Sequence, residues 1–244
     1  MNTASLSHKR ASNPLIIWLL SSIGKKSVVA VSGIFLVLFV VGHLLGNLTF
    51  FIGPDAINLY AKKLHDLGPL LWVVRLGLLA IVGVHIFFTM LLWKENRTAR
   101  PNKYEFKTHV QSTVFSRTMR LSGIVILAFV LFHLAHFTAR IVYPEYSQMK
   151  TMLDGHEVLD VYRMVVAGFS VWWVSAFYVI SLALVAFHLS HGIASLFQTL
   201  GITNKKLRPL FELGGRLLAW ALFIGFSAIP ISILIFGLGK EALK

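Results

Sequence analysis

Five long apolar runs divide the chain, at roughly residues 27–52, 70–93, 121–143, 168–198 and 214–238. Each is mostly Leu, Ile, Val and Phe, and each reaches the about 20 residues that a helix needs to cross a bilayer. Lipid offers no water to unpaired backbone groups, so the runs are read as helices. No sustained alternation with a period of two marks them as barrel strands. A shorter run over 14–24, with Pro14 and Trp18, is closed by Lys25 and Lys26. It is too brief to span, and reads as an interfacial helix within the N-terminal segment 1–26 rather than a cleavable signal. Between the runs, "AINLYAKKLHDL" within 53–69 predicts a short surface helix, and 144–167 is the most acidic stretch. No segment accommodates a soluble catalytic domain. The pattern gives one all-α, polytopic membrane domain over 1–244.

Composition agrees: the 244 residues are 56% hydrophobic, with a mean hydropathy of +0.73. The net charge of +13 matters through its distribution. With the N-terminus inside, the inner segments hold 15 of the 23 Lys and Arg, and the outer ones hold seven of the ten acids. The excess of inner positive charge predicts a cytoplasmic N-terminus and, after five helices, an external C-terminus. Basicity here sets topology and implies no nucleic acid. The absence of cysteine excludes disulfides, thiolate-held iron–sulfur clusters and covalently attached haem.

Two runs repeat each other. "SGIFLVLFVVGHL" (Ser32–Leu44) and "SGIVILAFVLFHL" (Ser122–Leu134) share seven of thirteen positions, including the histidine. A weaker repeat aligns "LAIVGVH", ending at His85, with "LALVAFH", ending at His188. Six of the ten histidines fall in apolar runs: His43, His85, His133, His136, His188 and His191. Ionisable side chains at bilayer depth are costly and point to function. At about 1.5 Å per residue, His43 and His133 lie roughly 24 and 20 Å from the inner face, and His85 and His188 roughly 13 and 16 Å. Two levels result, each with histidines from two helices. Facing imidazoles at one level are what a bis-histidine haem requires. Zinc or di-iron would call for carboxylates or thiolates, and no acid lies at depth in the first four helices.

His136 follows His133 by three residues, and His191 follows His188 by three, so either member of each pair faces the same way. The repeats select His133 and His188 as ligands. His136 and His191 are left to contact haem propionates or to hydrogen-bond between helices. Ser32 and Ser122 each precede a histidine by eleven residues, close to three turns, which puts them at the inner level. Gly33 and Gly123 beside them leave room for a macrocycle edge, although small-residue helix packing accounts for the same pattern. Arg120 is a candidate partner for inner propionates. Arg75 and Arg140 are candidates on the outer side, and an interfacial anchor is the other reading of each.

At these residues the chain resembles a known family. "GHLLGN", "VHIFF", "RLSGIVILAFVLFHL" and "FHLSHGIASLFQTLGIT" are similar to the single-chain, di-haem cytochrome b anchor of succinate dehydrogenases (succinate:quinone oxidoreductases) and fumarate reductases. The loop motif "FKTH" also matches some members. The resemblance implies five helices and two haems b. His85 and His188 would bind the haem near the soluble subunits, and His43 and His133 the distal one. It further implies a cytoplasmic flavoprotein and an iron–sulfur subunit as partners, menaquinone as the quinone substrate near the distal haem, and a bacterial inner membrane. Some members place an acid in the outer loop after a segment like "YAKKLHD". Here that position carries His65, with Asp66 next to it, and these are the candidates for quinone proton exchange. A solvated loop pair is the alternative. Thr199 stands where members often carry a basic residue. Two other classes fit less well: a di-haem cytochrome b of a nitrate reductase, hydrogenase or formate dehydrogenase, and a proton-coupled transporter, which would want acids in the bundle or broken helices.

Overall fold

The computed structural model of the protein describes residues 13–99 and 114–244; "FKTH" lies outside them. Helix α1 (Pro14–Leu20) is capped by the Asn13 side chain, which accepts from Leu15 N at 3.0 Å. Its apolar side chains Leu15, Ile16, Ile17 and Leu20 are exposed, as an interfacial helix requires. The chain turns at extended Ser21, whose hydroxyl accepts from Gly24 N and so starts α2 (Ser22–Leu48). This helix begins before the apolar run because Lys25 is buried and ion-paired with Glu95 of α4 (Pro69–Thr98), which neutralises the charge that ended the run. The surface helix forms as α3 (Pro54–His65), with proline in its first turn, where the missing N–H costs nothing.

Two expected spans differ from the sequence boundaries. The run 121–143 becomes α5 (Val114–His133), followed by a single π turn over Leu134–Thr138, and ends there; Arg140 takes a left-handed φ of 54°. The run 168–198 is divided into α6 (Val161–Ser170) and α7 (Trp172–Thr199) at extended Val171. Ser175 Oγ donates to Phe169 O at 2.6 Å, which satisfies a carbonyl freed by that break. The last span, α8, runs over Leu207–Leu234. Among the described residues, five helices thus have the length and apolarity to cross a membrane: Ser22–Phe51, Pro69–Thr98, Arg117–Thr138, Trp172–Thr199 and Leu207–Leu234. The acidic loop also holds a hairpin the sequence pattern did not predict. Strand β1 (Lys150–Leu153) pairs antiparallel with β2 (His156–Leu159) through Asp154-Gly155, both at positive φ.

The helices pack in an uneven way. Helices α7 and α8 share the largest interface; α2 packs on α4 and α7, and α5 on α7. Helix α4 has no buried residue at all. The apolar core lies towards the end of the bundle that carries the hairpin, where Phe50, Ile57, Val166, Phe169, Tyr178 and Ile233 come together. Buried Asn58 of α3 pins this end. Its amide donates to Asp160 Oδ1 at 3.2 Å and its carbonyl accepts from Tyr162 N at 3.1 Å. Asp160 also caps α6 through Arg163 N at 3.0 Å. Burial pushes the Tyr162 phenol above its ordinary range, with the nearby Glu241 carboxylate adding to the effect. The opposite end, with α1 and Arg120, is the basic end.

Candidate functional site

The predicted histidines do gather between α2, α4, α5 and α7, and their partners differ by level. On the basic-end level, Ser32 Oγ of α2 lies 3.0 Å from His85 Nδ1 of α4. Ser122 Oγ of α5 lies 3.3 Å from His188 Nδ1 of α7. Both serines are buried, and both donate their own proton back along the helix, Ser32 to Val28 O at 2.7 Å and Ser122 to Met119 O at 3.1 Å. A hydroxyl has one proton. With that proton committed, each serine accepts from its histidine, so Nδ1 carries the hydrogen and Nε2 keeps a bare lone pair. Gly33 faces the same site: a Cβ there would stand 3.6 Å from His85 Cε1, and one at Gly123 would meet open space. A cavity of about 380 Å³ opens on the Ser32 side, between Trp18, Val28, Phe35 and Val84.

On the hairpin-end level, the rings of His43 and His133 stand 5.8 Å apart, nearly perpendicular at 80°. Two imidazoles bound to one metal at roughly 2 Å each bring their ring centres to about 6 Å. His133 Nδ1 lies 3.3 Å from Tyr178 Oη. His43 is held by packing, stacked on Phe39 at 5.4 Å and against Phe226 of α8 at 5.7 Å. Its hydrogen-bonding neighbour is Asn47, whose amide stands 3.4 Å from both ring nitrogens and donates to the His43 carbonyl at 2.7 Å.

The residues therefore fit a pair of bis-histidine haems. Among the described residues, the buried nitrogens without a partner include His136 Nε2, Arg140 Nε and Arg163 Nε. Arg140 and Arg163 leave two buried N–H groups near the hairpin end, suited to carboxylates. Arg163 was missed in the sequence because it lies in the acidic loop's shadow, outside any apolar run.

The remaining candidates are placed less uniformly. His136 is fully buried and bonds Tyr178 Oη at 3.1 Å. His191 lies half-buried one turn beyond His188, with no hydrogen-bond partner among the described residues. Arg120 stacks over Trp93 of α4 at 4.6 Å, and Arg75 over Trp72 at 5.2 Å. His65 and Asp66 are exposed at the end of α3; His65 Nδ1 donates to Ala61 O at 3.1 Å, and Asp66 pairs with Lys62 at 2.6 Å. Neither is brought against the His43–His133 pair. Tyr178, which contacts both His133 and His136, is like Arg163 a site residue that the sequence pattern does not reveal, since an aromatic in an apolar run looks like core.

No curated protein and no solved structure matches the chain significantly. The family model of the succinate dehydrogenase/fumarate reductase transmembrane subunit matches residues 93–223, which is more than half of the chain and includes Arg120, Ser122, His133, His136, Tyr178, His188 and His191. With five membrane-length helices and two histidine levels already in place, the chain belongs to the succinate dehydrogenase/fumarate reductase transmembrane subunit family.

Proposed function

We propose that this chain is a di-haem cytochrome b, the membrane anchor of a succinate:menaquinone oxidoreductase. His85 and His188 hold one haem b, and His43 and His133 the other. The observation that carries the reading is the contact of Ser32 Oγ with His85 Nδ1 and of Ser122 Oγ with His188 Nδ1, which engages one nitrogen of each ring and leaves Nε2 as the one to bind iron. When bound, the haems supply one-electron transfer. The chain's own residues hold and space them, keep water out with an apolar shell, and offer Arg120, Arg140 and Arg163 to the propionates. The basic end faces the cytoplasm, where a flavoprotein and an iron–sulfur subunit dock. Menaquinone reacts near the hairpin-end haem, and His65 and Asp66, exposed at the end of α3, are the candidates for passing its protons.

The test is a reduced-minus-oxidised spectrum with haem quantitation on the detergent-purified complex. Two b-type haems per chain are expected. A complex without haem overturns the proposal, and one haem overturns the ligand assignment of one pair.

A further inference from the structure

The hydrogen bonds around Tyr178 run in one direction once His133 is an axial ligand. The Tyr178 hydroxyl lies 3.3 Å from His133 Nδ1 and 3.1 Å from His136 Nδ1. A phenol has a single proton to give. A histidine that offers Nε2 to iron carries its proton on Nδ1, so His133 donates to Tyr178 Oη. The phenol proton then goes to His136 Nδ1, and His136 bears its own proton on Nε2. That Nε2 is buried without a partner among the described residues and abuts Gly168 of α6, where a Cβ would stand 3.1 Å from it. An unpaired buried N–H is unfavourable; it is the remainder left when His136 commits Nδ1 to Tyr178.

The local backbone is built for this contact. The π turn Leu134–Thr138 starts directly after His133, and it sets both imidazoles against one hydroxyl of the neighbouring helix. Such turns inside α-helices are frequent at functional sites. Tyr178 and His136 are both buried, walled by Phe132, Phe137 and Phe169, so water does not compete for these bonds. Hydrogen bonds in a chain polarise one another.

We propose that Tyr178 and His136 are positioning residues for His133: the His136-polarised phenol accepts the His133 Nδ1 proton, and this raises the electron density at His133 Nε2 and favours the ferric form of the hairpin-end haem. The inference rests on the reading of His133 as an axial ligand. Outer partners of metal-bound histidines act in this way, orienting the ring and raising its basicity.

The experiment is a potentiometric titration of both haems in the purified complex, with haem content measured alongside. Tyr178→Phe removes the acceptor with little change of shape. One haem is expected to become easier to reduce, its ferric–ferrous equilibrium shifting about tenfold, which is about 59 mV for one electron; the other haem stays put. His136→Leu shifts the same haem in the same direction by less. His136→Asn, which keeps an acceptor at the Nδ1 position, stays near wild type. The double variant Tyr178→Phe/His136→Leu shifts no further than Tyr178→Phe alone, because His136 acts through the phenol. A purely structural role would lower haem content without moving one potential at full occupancy. The inference is overturned if neither haem moves, or both move equally, in fully loaded Tyr178→Phe or His136→Leu complexes. If His133→Ala retains both haems, the ligand assignment itself fails, and that outcome is distinct from the first.

Discussion

The two histidine levels solve one problem by different means. At the basic-end level each ring is fixed by a serine that is itself tied to its own helix backbone, so the brace is local and appears twice. At the hairpin-end level His133 leans on a phenol shared with a second histidine, and His43 is held by aromatic packing. The serine braces come with the repeat: a helix that supplies a hairpin-end histidine supplies, three turns earlier, the serine for a neighbouring helix's basic-end histidine. Helices α2 and α5 both do this, Ser32 through a bond to the carbonyl four residues back and Ser122 through one three back. The Tyr178–His136 chain has no counterpart on the other side of its pair. A duplicated sequence therefore accounts for the symmetric level, and a singular tyrosine on α7 with a π turn in α5 accounts for the asymmetric one.

The sharpest break of this comparison removes ligands. His188→Ala or His85→Ala is expected to leave one haem per chain, and His43→Ala or His133→Ala to leave the other. Haem quantitation with redox titration identifies which component survives. If both members of a supposed pair did not abolish the same component, the two-level scheme would fall.

A smaller effect separates the braces from the ligands. Ser32→Ala and Ser122→Ala each strand a histidine N–H, and are expected to weaken retention of the basic-end haem by about 10–100-fold. The hairpin-end haem keeps its potential in both. Haem release during dilution or competition with apo-myoglobin reads this. Unequal serine variants, or a shift in the other haem, would break the symmetry argued from the repeat.

Much of this arrangement was legible because it obeys simple periods. Apolar length marked all five spans, and the eleven-residue step from serine to histidine placed Ser32 and Ser122 at the level where they are found. What the sequence hid depends on tertiary contact. Ser122 bonds His188, 66 positions away, and nothing in the spacing on α5 names that partner. The π turn after His133 follows no proline or glycine cue, and at the break at Val171 the nearby Gly168 sits in a run that stays apolar on both sides. The Asp154-Gly155 hairpin carries a readable turn pair, but its four-residue strands are too short to show a pattern of their own. Lys25 looked like a helix boundary because its partner, Glu95, is 70 positions along the chain.

The two ends also differ in how they are fastened, and Asn58 tests the hairpin end. It is 2% exposed and joins α3 to the start of α6 through two hydrogen bonds. Asn58→Leu fills the space and leaves Tyr162 N–H without its acceptor. A loss of about 1–3 kcal/mol is expected, seen as a lower thermal midpoint of the solubilised complex at fixed scan rate. An unchanged midpoint would show that the cover over this end does not depend on that clamp.

At the basic end the corresponding fastening is ionic and half-wet, so its loss should matter least. The Lys25 side chain is 9% exposed and that of Glu95 45% exposed. Water screens the carboxylate, which keeps the pair near the surface range of about 1 kcal/mol or less. The two sides are unequal, and this gives an order of effects. Glu95→Ala strands a buried ammonium and is the most damaging of the set. Glu95→Gln keeps an oxygen to accept from Lys25 Nζ and costs less. Lys25→Met replaces a buried charge by a chain of similar length in apolar surroundings, while the freed Glu95 reaches water, so its midpoint should stay near wild type or rise. Thermal midpoints of the three variants, at low and high salt, check this order. If Lys25→Met were the worst, the pair would be holding α2 to α4 by attraction rather than by shape, and the basic end would be fastened as specifically as the hairpin end.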